Sequence, residues 1–179
     1  MLTNIFTRFT TKDDSSGSGI LRTEYTLDDG QTVKTYTNPF TISTKGISKL
    51  KFRSMDKAGN EEIPQELEIK IDKTTPVIAL NVSSDIIWPP DKQMINVTIS
   101  GSAEDNISGL ASKNLSVNDE YHVYNLTFDD LNQIVPLEAW RNGNDSDGRT
   151  YKVQAKTEDK AGNVGIVEKV VLVAHDQKN

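Results

Sequence analysis

The chain has no cysteine, only two histidines and two tryptophans in 179 residues, and no run approaching the roughly 20 apolar residues of a membrane span. Without cysteine it has no disulfide of the kind that pins many immunoglobulin domains, no thiol nucleophile and no thiolate metal site, so its cores must hold by packing alone. That absence does not point to the cytosol, because many bacterial and archaeal surface proteins also avoid cysteine. Helical periodicity is missing as well. No stretch of a dozen residues keeps apolar positions at i, i+3, i+4 and i+7, while Thr, Ser, Asn, Asp and Val abound, and almost no helix is expected. There is no basic block either: 26 acidic against 20 basic side chains leave a net charge of −6 spread along the chain. A nucleic acid or an anionic membrane finds no electrostatic footprint here, and calcium or a neutral polymer suits the balance better. The first residues contain no long apolar segment of the secretory type, so any export signal or anchor is expected outside this chain.

What the chain does contain is a repeated phrase. Ser54-Met55-Asp56-Lys57-Ala58-Gly59-Asn60 returns as Thr157-Glu158-Asp159-Lys160-Ala161-Gly162-Asn163. Each copy lies between two runs that alternate apolar and polar residues. In D-K-A-G-N the Asp accepts bonds from backbone amides just downstream and the Gly supplies a positive φ, which predicts a hairpin made twice. A second shared element lies upstream of each copy, D-D-S-S-G-S-G-I at 13–20 and E-D-N-I-S-G-L at 104–110. The chain is therefore expected to be all-β, two tandem immunoglobulin-like β-sandwiches covering residues 1–74 and 75–179.

Strands are predicted at 4–11, 22–27, 32–36, 40–43, 49–55 and 65–71 in the first module. The second module supplies 77–82, 94–103, 114–117, 122–128, 134–140, 150–157 and 165–173. In the first module Leu50, Phe52 and Ser54 share one strand face and Lys49, Lys51 and Arg53 take the other, the pattern of a half-buried strand. Ile71-Asp72-Lys73-Thr74-Thr75-Pro76 reads as a short, stiff linker, because Pro76 biases its predecessor to an extended backbone.

Ser18-Gly19-Ile20, Thr23 to Asp28, Tyr36 to Ser43, Phe52-Arg53-Ser54 and Asp56 to Asn60 resemble the OmpL47-type immunoglobulin-like repeat of secreted bacterial and archaeal proteins. In the second module Ile87-Trp88-Pro89-Pro90-Asp91-Lys92-Gln93-Met94, Asp119-Glu120-Tyr121, Glu138-Ala139-Trp140-Arg141 and Gly148-Arg149-Thr150-Tyr151 resemble a related extracellular repeat, with W-P-P-D-K-Q-M where W-P-P-N-H-K-M is usual. The resemblance implies modules strung in tandem on large secreted or surface proteins, beside enzymatic or anchoring domains and without catalytic residues of their own. Modules of the first type carry a strand before the one placed at 4–11. The first sandwich is thus expected to lack its first strand and to leave an open edge to which another chain can add.

In an immunoglobulin-like topology the loop between the second and third strands and the loop between the last two lie at one pole. Asp13 and Asp14 should then approach Asp56, and Glu104 and Asp105 should approach Asp159, with Asp72 entering beside Asp105 and Asp159. Asp72, Asp105 and Asp159 are the candidate ligands of a Ca²⁺ clamp, since three carboxylates and loop carbonyls make a hard-oxygen set. Turn capping by the same Asp residues is the commoner use. The segment 142–148 fails the EF-hand template, which would put Gly143 at the first ligand position and Gln154 where a bidentate Glu belongs, and it reads as a hairpin tip. Six N-x-Ser/Thr sequons, at Asn81, Asn96, Asn106, Asn114, Asn125 and Asn144, suggest a glycosylated surface. Five have an aliphatic middle residue, however, and a half-buried strand writes that motif unaided.

His122 and His175 have no matched Ser or Cys and are expected to be solvated, so a hydrolytic triad has no basis. Trp88 and Trp140 are expected to seal the sandwich, with a sugar-stacking platform as the alternative. The composite expectation is a non-enzymatic spacer or adhesion pair in a secreted or cell-surface protein. Its partners would be neighbouring immunoglobulin-like domains and a surface glycan or protein. The alternative is a carbohydrate- or protein-binding accessory module of a secreted glycan-active enzyme.

Overall fold

Alternating apolar and polar residues become strand along most of the chain. A computed structural model describes residues 4–175, which form strands and loops with no helix. No helix long and apolar enough to cross a membrane occurs among them. The chain divides into two units between Lys73 and Thr74.

The first unit contains β1 (Ile5–Thr7), β2 (Ile20–Thr26), β3 (Lys34–Thr35), β4 (Phe40–Ile42), β5 (Gly46–Asp56) and β6 (Gln65–Ile71). One sheet runs β3-β2-β5-β6, the other pairs β1 with β4, and all pairs are antiparallel. The alternation expected in β5 is present. Leu50 is buried and Phe52 packs on the core, while Lys49, Lys51 and Arg53 reach Glu66, Asp29 and Glu24 on the wet face. Ile42, Leu50, Ile69 and Ile71 make up the fully buried part of this core. Around them lies an aromatic cluster in which the Tyr25 and Phe40 rings stack at 4.3 Å and the Phe9 ring lies 4.8 Å from Phe52.

The second unit contains β7 (Val77–Val82), β8 (Ile86–Ile87), β9 (Met94–Glu104), β10 (Leu110–Asp119), β11 (Asn125–Phe128), β12 (Gln133–Glu138), β13 (Arg149–Asp159) and β14 (Val164–Val173). Its sheets run β11-β10-β13-β14-β8 and β12-β9-β7. Leu80, Val97, Ile99, Val135 and Leu137 from the three-stranded sheet meet Leu115, Val117, Tyr151, Val153 and Val171 from the other in a single core. Two facing sheets in this strand order, antiparallel except for the pair of β14 with β8, make an immunoglobulin-like sandwich.

The two units share a scaffold. Laying Asp56 on Asp159 places Gly46 on Arg149, and these pair with Ile71 and Val173 in their respective units. Laying Asp13 on Asp105 places Ile5 on Val97, which pair with Ile42 and Val135. Strands β2 and β10 also each begin with a bulge, between Ile20 and Arg22 and between Leu110 and Ser112. Strands β7 and β8 have no counterpart in the first unit among the described residues.

The predicted strand limits differ from the observed ones where tertiary partners decide. β1 stops at Thr7 instead of 11, because no described strand pairs with the following residues. β11 begins at Asn125 instead of 122, because His122 has φ 60° in the turn after β10. β8, two residues pairing parallel to β14, was not foreseen.

Candidate functional site

Each D-K-A-G-N phrase closes its hairpin with the same bonds. The Asp56 amide donates to the Asn60 carbonyl and the Gly59 amide to the Asp56 carbonyl, as Asp159 does with Asn163 and Gly162 with Asp159. Asp56 Oδ1 accepts from the Asn60 amide at 2.9 Å and Oδ2 from Asn60 Nδ2 at 2.8 Å. Asp159 does the same to Asn163 at 2.8 and 2.7 Å. Gly59 and Gly162 have φ of 91° and 87°, which a side chain disfavours.

The upstream element is tied to this hairpin in both units. The Lys57 amide donates to the Gly19 carbonyl and the Lys160 amide to the Gly109 carbonyl, each at 2.9 Å. Gly19 in turn donates to Asp13 Oδ2 at 2.7 Å and Gly109 to Asp105 Oδ1 at 2.8 Å. An Asp caps one loop, a second Asp caps the hairpin, and a backbone bond joins the two. This is turn chemistry, and it employs Asp13, Asp56, Asp105 and Asp159.

The structure brings Asp105 and Asp159 together, with one carboxylate oxygen of each within 4.8 Å of the other. Asp105 Oδ1 also accepts from the amides of Ile107 and Ser108, and Asp159 Oδ1 from Ala161. In the first unit Asp13 and Asp56 line one cleft of about 490 Å³ together with Phe9, Ile20, Phe52 and Ser54. Asp14 and Glu104 are exposed. Asp72 directly follows β6 and is buried.

The strongest polar centre lies elsewhere, at the other end of β13. Arg149 is 1% exposed, and its Nε and Nη2 donate to Asp119 Oδ2 at 3.0 and 2.7 Å. Nη1 donates to Glu138 Oε2 and to the Trp140 carbonyl, both at 3.2 Å. The rings of Tyr151, Tyr121, Tyr124 and Trp140 surround the guanidinium at 4.7 to 5.7 Å. Asp119 Oδ1 is held by the amides of Val123 and Tyr124. Burial works to raise the Asp119 carboxyl pKa, but the Tyr124 amide and the Arg149 guanidinium overcome it and leave the group below its ordinary 3.8. Burial likewise opposes the charge of Arg149, and its bonds to Asp119 still hold it protonated more firmly than usual. A buried ion pair whose guanidinium donors all have partners within the fold and which rings wrap is a rivet between strands. The signal for it was an Arg at the inward parity of an apolar strand, in step with Tyr151, Val153 and Ala155.

The segment 142–148 closes on itself. Asp145 accepts from the Tyr121 hydroxyl and from the Gly148 amide. Gly148 has φ 92°, and a Cβ there would meet the Val173 carbonyl at 2.4 Å, so the turn admits only glycine. Trp88 is 41% exposed instead of sealing the sandwich, lying just past the end of β8 at Ile87. Trp140 is half-buried against Arg149 and Tyr121. His122 is exposed and His175 half-buried. In four sequons the Asn faces outward or sideways from a strand whose next residue, Val82, Val97, Leu115 or Leu126, turns inward.

No family model matches the chain, and no curated protein matches it. Among solved structures it is similar to one described as fibronectin(III)-like modules of Clostridium thermocellum CbhA, at 13% identity over 98% of this chain and 88% of that one. The TM-score of that match is 0.38.

Proposed function

We propose that the chain supplies two non-enzymatic immunoglobulin-like spacer modules of a larger extracellular protein, of the kind that the OmpL47-type resemblance implies. The observation that carries this reading is the repeated lock. Both units commit the same Asp, Asn and Gly residues to fixing one loop against one hairpin. Side chains spent on framework in tandem suit a part that must keep its shape.

The exposure of Trp88 favours a second reading, a glycan-contacting accessory module. Both tryptophans lie in the second unit, so their emission reports on it. Titration with neutral oligosaccharides should leave that emission unchanged for a spacer. A shift abolished by Trp88→Ala would replace the spacer with the binding module.

Calcium at Asp105 and Asp159, with Asp72 as the further carboxylate added by the sequence, is a distinct proposal resting on the approach of the first two. A cation that binds only the folded state raises the melting temperature by mass action. A rise in millimolar calcium over EDTA that disappears in Asp105→Asn and Asp159→Asn would establish it. No rise assigns both groups to turn capping alone.

A further inference from the structure

We propose that Asn142 is a site of spontaneous deamidation, and that the fold selects it among the places where an Asn or Asp precedes a glycine. There are three such pairs, Asp29-Gly30, Asn142-Gly143 and Asp147-Gly148. In each the reaction needs the glycine nitrogen as nucleophile, and glycine leaves that nitrogen unshielded because it carries no Cβ. Two of the three are tied down. The Gly30 amide donates to Thr26 Oγ1 at 3.0 Å, and the amide of the buried Gly148 donates to Asp145 Oδ1 at 3.1 Å. The Gly143 amide has no acceptor among the described residues. Asn142 and Gly143 are both exposed, and a Cβ on Gly143 would meet nothing within 4 Å.

The same turn presents the electrophile. The Asp145 amide closes it on the Asn142 carbonyl at 3.0 Å, and the Asn144 amide donates to Asn142 Oδ1 at 3.5 Å. That second bond makes an Asx turn, which keeps the side-chain carbonyl close to its own backbone and draws electron density from Cγ. The Gly143 nitrogen loses its proton to solvent hydroxide and attacks Asn142 Cγ. The bond from Cγ to Nδ2 breaks, Nδ2 leaves as ammonia with a proton from water, and a succinimide remains. Water then opens the ring. Attack at Cγ gives aspartate on the original backbone, and attack at the former backbone carbonyl gives isoaspartate, with an added methylene in the chain. Either product places a new carboxylate beside Asp145. The change bears on the Arg149 centre, because the Asn142 amide donates to the Tyr121 hydroxyl at 3.1 Å and the Tyr121 ring lies 5.1 Å from the Arg149 guanidinium. Arg141 Nη1 also donates to the Asn142 carbonyl at 3.0 Å. In isoaspartate that oxygen belongs to a carboxylate outside the backbone path, so the turn that Asp145 and Arg141 close on it is loosened.

The experiment incubates the full folded chain in mildly alkaline buffer and follows every asparagine by peptide mapping and mass spectrometry, with isoaspartate separated from aspartate. The expected result is conversion at Asn142 ahead of every other asparagine, with isoaspartate among the products there and none accumulating at Asp29 or Asp147. Gly143→Ala, which the open space around that residue accommodates, should slow the conversion by about tenfold or more, equivalent to about 1.4 kcal/mol in the barrier. A synthetic peptide of residues 138–148 supplies the rate without the fold. A folded chain slower than that peptide by more than about tenfold overturns the proposal, because the turn would then protect Asn142. An unchanged rate in Gly143→Ala also overturns it, since the ring would not form through this nitrogen. Isoaspartate forming at Asp29 or Asp147 as fast as at Asn142 would overturn the selection by the fold.

Discussion

The two units use one hairpin lock and one strand register, yet they bury very different cores. Fifteen residues form the buried cluster of the second unit and four that of the first. The second is mainly aliphatic, and the first depends on half-buried rings at Phe9, Tyr25, Phe40 and Phe52. The difference tracks β7 and β8, which add Leu80 and Ile87 directly and cover β9 and β14. Local turn chemistry can therefore be the same in two domains whose closure differs, and the hairpin says little about how well the sandwich behind it is packed.

The sharpest way to separate the units is to break the Arg149 centre, which among the described residues belongs to the second. Asp119→Ala leaves Arg149 buried without its main partner and should cost about 3–5 kcal/mol. The loss should appear in urea unfolding followed by tryptophan emission, while amide signals of β2 and β5 stay native. A matching loss in both units would mean that they unfold as one. The next contrast is in the cores. Leu115→Ala, at full burial, should cost about 3–5 kcal/mol, whereas Leu50→Ala should fall near about 2 kcal/mol because an incompletely closed core relaxes into the space. Equal losses would remove the distinction in closure.

The hairpin Asp residues come third. Asp159→Ala leaves the buried Asn163 amide and the part-buried Ala161 amide without this acceptor and should cost about 1–3 kcal/mol. Asp56→Ala, in the exposed copy, should lower stability by less, because water replaces the lost acceptor.

The smallest effect is on pH dependence. The folded pKa of Asp119 is depressed, so its contribution is fully present above the ordinary 3.8 and is lost as pH falls through the lower folded value. Tryptophan-detected stability should thus hold from neutrality to about pH 4 and then decline. The decline should be shallower in Asp119→Asn, and an identical slope would take Asp119 out of the acid response.

The hairpins were legible in the sequence because Asp, Gly and Asn act over four residues. Most strands were legible because burial on one face imposes a period of two. The Arg149 centre was not, since its partners lie at 119, 124, 138 and 140 and only the fold assembles them. β8 escaped for a related reason: two residues carry no period, and its pairing is with a strand at the far end of the unit. Asp105 and Asp159 were rightly expected to approach each other, while the amides that already occupy them depend on loop geometry that the residue types alone leave open.

The parallel pairing of β8 with β14 also imposes an order in time. Ile86 and Ile87 have their partners at Leu172 and Val173, nearly the whole length of the unit later. A chain emerging from its N-terminus can pair β10 with β11, β9 with β12 and β10 with β13 early, yet β8 must wait as an unpaired apolar segment until the last strand is made. The second unit cannot be finished until its last strand is available.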